Sequence, residues 1–208
     1  MRGPTMWLTH RLVAVMGGLA LTLTSCPSRA EAHLVTTGLG PLYDGLLHFA
    51  LAPEDLVPVL ALALLAGLRG VTHGRRALFV LPAAWLLGGV IGLTVHGGMS
   101  LIWPALSFVL LGGLVASDAR LPLGATTLLA ALLGLGHGYL NGLALAQPGL
   151  GAVGLLGIVA AVFTLAALAA SFVAPLRAVW ARVVVRVAGS WIAAIGLLLI
   201  GWAIRSGA

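Results

Sequence analysis

Long apolar runs separated by short polar breaks make up most of this chain, and the breaks carry nearly all of the charge. After an apolar stretch at residues 12–25 and a mixed strip at 33–55, the pattern predicts six helices. They fall at about residues 53–69, 77–96, 101–117, 123–146, 151–174 and 178–204. Each is near the length of about 20 residues that a bilayer asks of a spanning helix, with the first and third at the short end. Pro53-Glu54-Asp55 reads as a helix first turn, with Pro at an early position and acids near the positive dipole end. Glu54 and Asp55 are therefore read as structural residues and as second-choice ligands. The break at Pro53 predicts a short lateral or re-entrant helix over about Pro41–Leu51. The expected fold class is an all-α integral membrane protein: a six-transmembrane-helix bundle behind a cleaved signal peptide, with a re-entrant or interfacial helix before the first span.

Composition supports this class. Of 208 residues 61% are hydrophobic and 8% charged, with a mean hydropathy of +1.13, too little charge to cover a water-soluble surface. Every basic residue is Arg, and the pI near 11.4 comes from a few arginines set against very few acids. No clustered basic face or aromatic stacking platform accompanies them, which argues against nucleic-acid binding. Residues 1–32 read as a signal peptide: Arg2 and Arg11 before an apolar core, then Ala30-Glu31-Ala32 as a small-x-small cleavage site. Cleavage there leaves His33 as the amino terminus of a single membrane domain, residues 33–208. A rival reading takes Leu23-Thr24-Ser25-Cys26 as a lipobox with Cys26 lipidated. With cleavage after Ala32 no cysteine remains, so neither a disulfide nor a thiolate metal site is expected. The breaks at 69–76, 118–122 and 174–186 hold seven arginines, whereas the opposite side keeps Arg205. That bias places both mature termini in the periplasm and the protein in a bacterial inner membrane.

On this topology His33, His48, His96 and His137 fall near the outer leaflet, with Asp44, Met99 and Asn141 beside them. Asp44 and His48 are four apart, as are His137 and Asn141, so each pair shares a helix face. Imidazole nitrogens with a carboxylate suit a divalent transition metal, which makes His33, Asp44, His48, His96, His137 and Asn141 the candidate ligands. Plainer readings stand beside this one. His137 with Asn141 could be a helix–helix hydrogen bond, Asp44 with Tyr43 the cap of a short helix, His96 an interfacial residue and His73 a loop residue. Gly134, Gly138 and Gly142, with Gly88 and Gly92, form small stripes that permit close helix approach. Arg182 and Arg186 are expected to snorkel to headgroups. No nucleotide-binding motif is present, so transport would be passive or secondary. No paired carboxylates lie within a span and no nucleophile–base pair exists, so an enzyme is not expected.

One stretch carries a resemblance. Ala-x-Ala-His33, then Thr-Gly-Leu-Gly-Pro-Leu-Tyr-Asp44-Gly-Leu-Leu-His48, then Pro53-Glu-Asp-Leu-Val-Pro-Val-Leu-Ala-Leu-Ala-Leu-Leu-Ala-Gly-Leu-Arg69-Gly70 resemble the HupE/UreJ hydrogenase and urease accessory family. The similarity continues through Gly136-His137-Gly138 and the closing Arg186-Val-Ala-Gly-Ser-Trp-Ile-Ala-Ala-Ile-Gly. It implies a nickel or cobalt permease of the bacterial inner membrane and carries over Asp44, His48 and His137 as ligands. The better-known branch has His-Pro-x-x-Gly-x-Asp-His in its first helix. Here three residues separate Asp44 from His48, and His33 lacks the following Pro, so the chain resembles a divergent subgroup. No permanently bound cofactor is expected. The cargo would be a divalent metal, nickel first, with cobalt or copper as alternatives. The partners would be the bilayer, the ion and metalloenzyme maturation proteins of hydrogenase or urease. The competing expectation is a non-transporting membrane accessory protein that binds metal or a partner enzyme.

Overall fold

A computed structural model of the protein describes residues 37–95, 102–146, 150–176 and 178–206, all within the unit Leu34–Ala208. The expected signal peptide, His33, His96 and Met99 lie outside the described residues. Among the described residues the chain is all helix: α1 Pro41–Leu51, α2 Pro53–Leu68, α3 Val71–Thr94, α4 Ile102–Ala116, α5 Leu123–Ala146, α6 Gly151–Val173 and α7 Val179–Ser206.

Proline opens both α1 and α2, where its missing N–H costs nothing because that group has no partner within the helix anyway. Between them Ala52 is extended, and the two axes turn by 74°. Leu68 is followed by one further helical residue, Arg69, before Gly70 starts α3. Gly70 takes φ +102, a left-handed conformation that a side chain would resist. α3 thus begins at Val71, earlier than the apolar run, and His73, Arg75 and Arg76 sit in its first turns instead of in a loop.

Among the described residues four helices are long and apolar enough to cross a membrane: α3, α5, α6 and Val179–Arg205 of α7. α1 and α2 supply a fifth when the bent pair is taken together. α4 has 15 residues and extends about 22 Å, short of a hydrocarbon core of about 30 Å. The all-helical membrane architecture agrees with the sequence. The expected six spans are not reached by length alone, and the shortfall lies in α2 and α4.

The glycine stripes do what their spacing predicts. α3 and α5 meet backbone to backbone: a Cβ on Gly88, Gly92, Gly138 or Gly142 would overlap a carbonyl oxygen of the facing helix. α1 lies against the first turns of α6 in the same way, through Gly45, Gly154 and Gly157. Gly112, Gly189 and Gly196 bring α4 and α7 together. Around these seams a buried apolar core runs through Val59, Leu62, Leu65, Leu81, Trp85, Leu133, Leu155 and Ile158.

At one end of the bundle a single acid ties three segments together. Asp118 follows α4 with φ +51, and the Ala119 N–H returns to the Leu114 carbonyl at 3.0 Å, which closes the helix with a left-handed cap. Its carboxylate then receives Arg69 from the end of α2 and Arg182 from α7, the latter at 3.0 Å. Arg186 donates to the Ala116 carbonyl at 2.9 Å. Neither α7 arginine simply snorkels, because α4 leaves it a carboxylate or a free carbonyl within reach.

Substituting Gly138 with Val forces a side chain into the Trp85 carbonyl and is expected to destabilise the protein by about 1–3 kcal/mol. Gly113→Ala, where a Cβ meets nothing within 4 Å, is expected to stay within about 0.5 kcal/mol of wild type. Unfolding midpoints in mixed detergent measure both.

Candidate functional site

The buried polar groups converge where α2 begins. α1 rests on α6, and the turn at Ala52 starts α2 among its neighbours, so that Asp55 in its first turn is buried beside the middle of α5. His137 Nδ1 lies 2.7 Å from Asp55 Oδ1. Asn141, one turn further along α5, donates Nδ2–H to Asp55 Oδ2 at 2.7 Å and to the His137 carbonyl at 2.9 Å. His137 Nε2 is 3.1 Å from Ser107 Oγ on α4. The His137 ring is fully buried and faces Trp85, with centroids 5.6 Å apart, while Trp85 meets Phe49 of α1 edge-on at 6.0 Å.

Proton bookkeeping constrains this node. The Ser107 hydroxyl donates to the Pro104 carbonyl at 2.7 Å, so its oxygen is left to accept from His137 Nε2–H. On the other side one proton lies between Nδ1 and Oδ1, whichever atom carries it. Both ring nitrogens are therefore engaged. The Asn141 carbonyl oxygen is different: it is buried and has no hydrogen-bond partner. An unpaired acceptor beside a carboxylate, inside hydrocarbon-soluble helices, is an unfavourable arrangement that a bound cation would relieve.

The residues singled out from sequence separate into groups. His137 and Asn141 come together, as their spacing on one helix face implies. Asp44 is buried on α1 but turned to Thr37, whose backbone N–H and hydroxyl both donate to Oδ1 at 2.6 Å. That is the stabilised-carboxylate arrangement of a local cap. His48 is half-buried on the same helix. His33 and His96 lie outside the described residues. Among the described residues no three His, Cys, Asp or Glu side chains form a group able to hold a metal ion. His73 is paired across helices, its Nδ1 3.1 Å from the buried Thr126 hydroxyl.

One participant ranked only as a second-choice ligand from sequence, and another was missed. Asp55 looked like a dipole-compensating acid at a helix start, and the signal that could have raised it was the proline break itself. A helix that starts after a sharp turn need not start at the membrane surface. Ser107 was overlooked although it is the sole hydroxyl within Ile102–Ala116. A lone polar residue in so apolar a helix has to find a partner indoors.

Comparison with known proteins gives one positive finding. The family described as HupE / UreJ protein matches residues 20–199, most of the chain. No curated protein and no solved structure shows a significant match.

Asp55→Ala removes the partner of His137 Nδ1 and one of the two acceptors of Asn141 Nδ2 and is expected to lower stability by about 3–5 kcal/mol. Pairing it with His137→Ala should recover part of that loss, since the two changes act on one network. Strictly additive losses in a double-mutant unfolding cycle would show that the groups are not coupled.

Proposed function

The chain belongs to the HupE/UreJ family, and from that premise we propose that it is an inner-membrane permease for a divalent transition metal. Nickel is the first expected cargo, with cobalt and copper as alternatives, and the ion would serve hydrogenase or urease maturation. The reading uses six membrane crossings, counting the α1–α2 pair and α4 as short or broken spans, with both mature termini outside. The ion would enter on the side of His33, Asp44, His48 and His96 and come to rest at Asp55, His137 and Asn141.

One observation carries this reading: a carboxylate, an imidazole and an unpaired amide oxygen meet inside the bundle. Mixed nitrogen and oxygen donors suit borderline divalent metals. Because both ring nitrogens are engaged, imidazole coordination requires the Asp55 or the Ser107 contact to open, so the arrangement described is a closed one. Once inside, the ion needs no nucleotide to drive it. A dication moving down about 100 mV gains about 4–5 kcal/mol.

A second reading has its own observation. From His137 the next polar pair along α5 among the described residues is the half-buried His73 with the buried Thr126. Eleven residues of α5 separate His137 from Thr126, about 16 Å of helix. Ala130, Leu133, Leu62, Leu65 and Leu81 are buried at that level on α5, α2 and α3. A protein that binds metal or a partner enzyme without passing the ion needs no polar route through that layer.

Proteoliposomes loaded with a metal-sensitive dye separate the two readings. Saturable nickel influx, competed by cobalt, copper or zinc according to preference, is expected from the permease. His137→Gln and His48→Ala are each expected to lower it, His137→Gln by about tenfold or more, at equal amounts of inserted protein. Wild-type influx in both variants would defeat the site, and absence of saturable flux for all the metals would favour the accessory reading.

A further inference from the structure

The end of the bundle organised by Asp118 carries more positive charge than it neutralises. Arg69, Arg75, Arg76, Arg120, Arg182 and Arg186 all belong to segments that meet there. Asp118 is the one acid at that end among the described residues, since Glu54 and Asp55 lie at the opposite end of α2, and it is already shared by Arg69 and Arg182. Arg75 and Arg76 are exposed, and among the described residues neither has a hydrogen-bond or ion-pair partner.

Each of these two arginines stands at an apolar groove. Arg75 lines a groove of about 520 Å³ between the start of α3 and the last turns of α6, walled by Gly74, Leu78, Ala167, Leu168 and Ala170. Arg76 lines another of about 400 Å³ between α3 and α5, with Leu123, Thr127 and Leu128. The grooves thus flank one helix end. That end has no side-chain cap: Gly70 precedes α3 and leaves its first N–H groups without a side-chain acceptor.

We propose that the α3–α6 groove binds an anionic phospholipid, its phosphate at Arg75 and the α3 amino terminus and an acyl chain along Gly74, Leu78, Ala167 and Ala170. The chemistry asks for an anion at one end and hydrocarbon along the rest, which is the form of a phospholipid. Charge complementarity selects the anionic kind. A zwitterionic headgroup brings its own ammonium, whereas the guanidinium here has no carboxylate partner among the described residues. Basic pockets between spanning helices are known to favour such headgroups. The small residues have a matching role, because Gly74, Ala167, Ala170 and Ala174 leave the groove unfilled. This inference does not depend on metal transport.

The test is native mass spectrometry of the full chain in detergent, titrated with phosphatidylglycerol or with phosphatidylethanolamine of identical acyl chains. Phosphatidylglycerol is expected to bind preferentially. Arg75→Gln should weaken it roughly fivefold, the scale of one basic residue beside an anionic headgroup. Gly74→Leu should weaken it at least as much by filling the groove, since a Cβ there meets Ala170 Cβ at an ordinary 3.5 Å. Arg120→Gln, at the same end but outside the groove, should bind like wild type. Equal retention of the two lipids would overturn the proposal, and so would an equal loss in Arg120→Gln. Full displacement by millimolar inorganic phosphate would show a phosphate-ion site with no acyl component, and that too would overturn it.

Discussion

A carboxylate inside a bundle that lipid surrounds has to find all its hydrogen bonds within the protein. Asp55 meets that requirement through His137 and Asn141, and much of the architecture follows from it. The residue is brought indoors by the 74° turn at Ala52, which needs α1 to lie across α6 before α2 descends. α1 can lie there because Gly45, Gly154 and Gly157 remove the side chains that would hold it away. His137 in turn is fixed from behind by the glycine seam of α3 and α5, which presses its ring against Trp85. A side chain on Gly45, Gly157, Gly138 or Gly142 would push these helices apart and with them the elements that carry the node.

The same economy governs the other acids. Asp118 holds three segments together at one end, and Asp44 satisfies Thr37 at the start of α1. Among the described acids Glu54 alone is exposed, and it occupies the dipole-compensating position that Asp55 was also expected to fill. With so few acids, each settles the position of an element. The arginines are more numerous, which is why Arg75 and Arg76 have no counter-charge among the described residues.

Much of the fold could be read from the sequence because hydrocarbon imposes simple rules. Apolar runs of sufficient length became helices, prolines at 41 and 53 marked a separate short helix, and glycines four apart marked a tight seam. The site was only half legible. His137 with Asn141 followed from helical spacing, a local property. Their partner did not, because Asp55 lies 82 positions before His137 and its depth depends on a bend between two helices. Asp44 with His48 shows the reverse failure. The spacing was right for a shared face, yet Thr37 offered Asp44 two donors closer in sequence, and a local hydrogen bond forms at less entropic expense than a distant one.

Packing also limits how the closed node could admit an ion. The α3–α5 seam is backbone against backbone, so movement there would require the glycine contacts to separate. α4 is held differently. It packs closely on α7, and between it and α5 lies a cleft of about 430 Å³ lined by Trp103, Leu106, Ser107, Leu129 and Leu133. Ser107 is thus both a wall of that cleft and the partner of His137 Nε2. On the transport reading, a small shift of α4 would free Nε2–H from Ser107 while Asp55 keeps Nδ1, and loss of the Nε2 proton to solvent entering with the ion would then turn that nitrogen into a ligand with its carboxylate support intact. On that reading, the side chain that would decide access is a serine on α4, a helix too short to span by itself, and not one of the histidines that first drew attention to the chain.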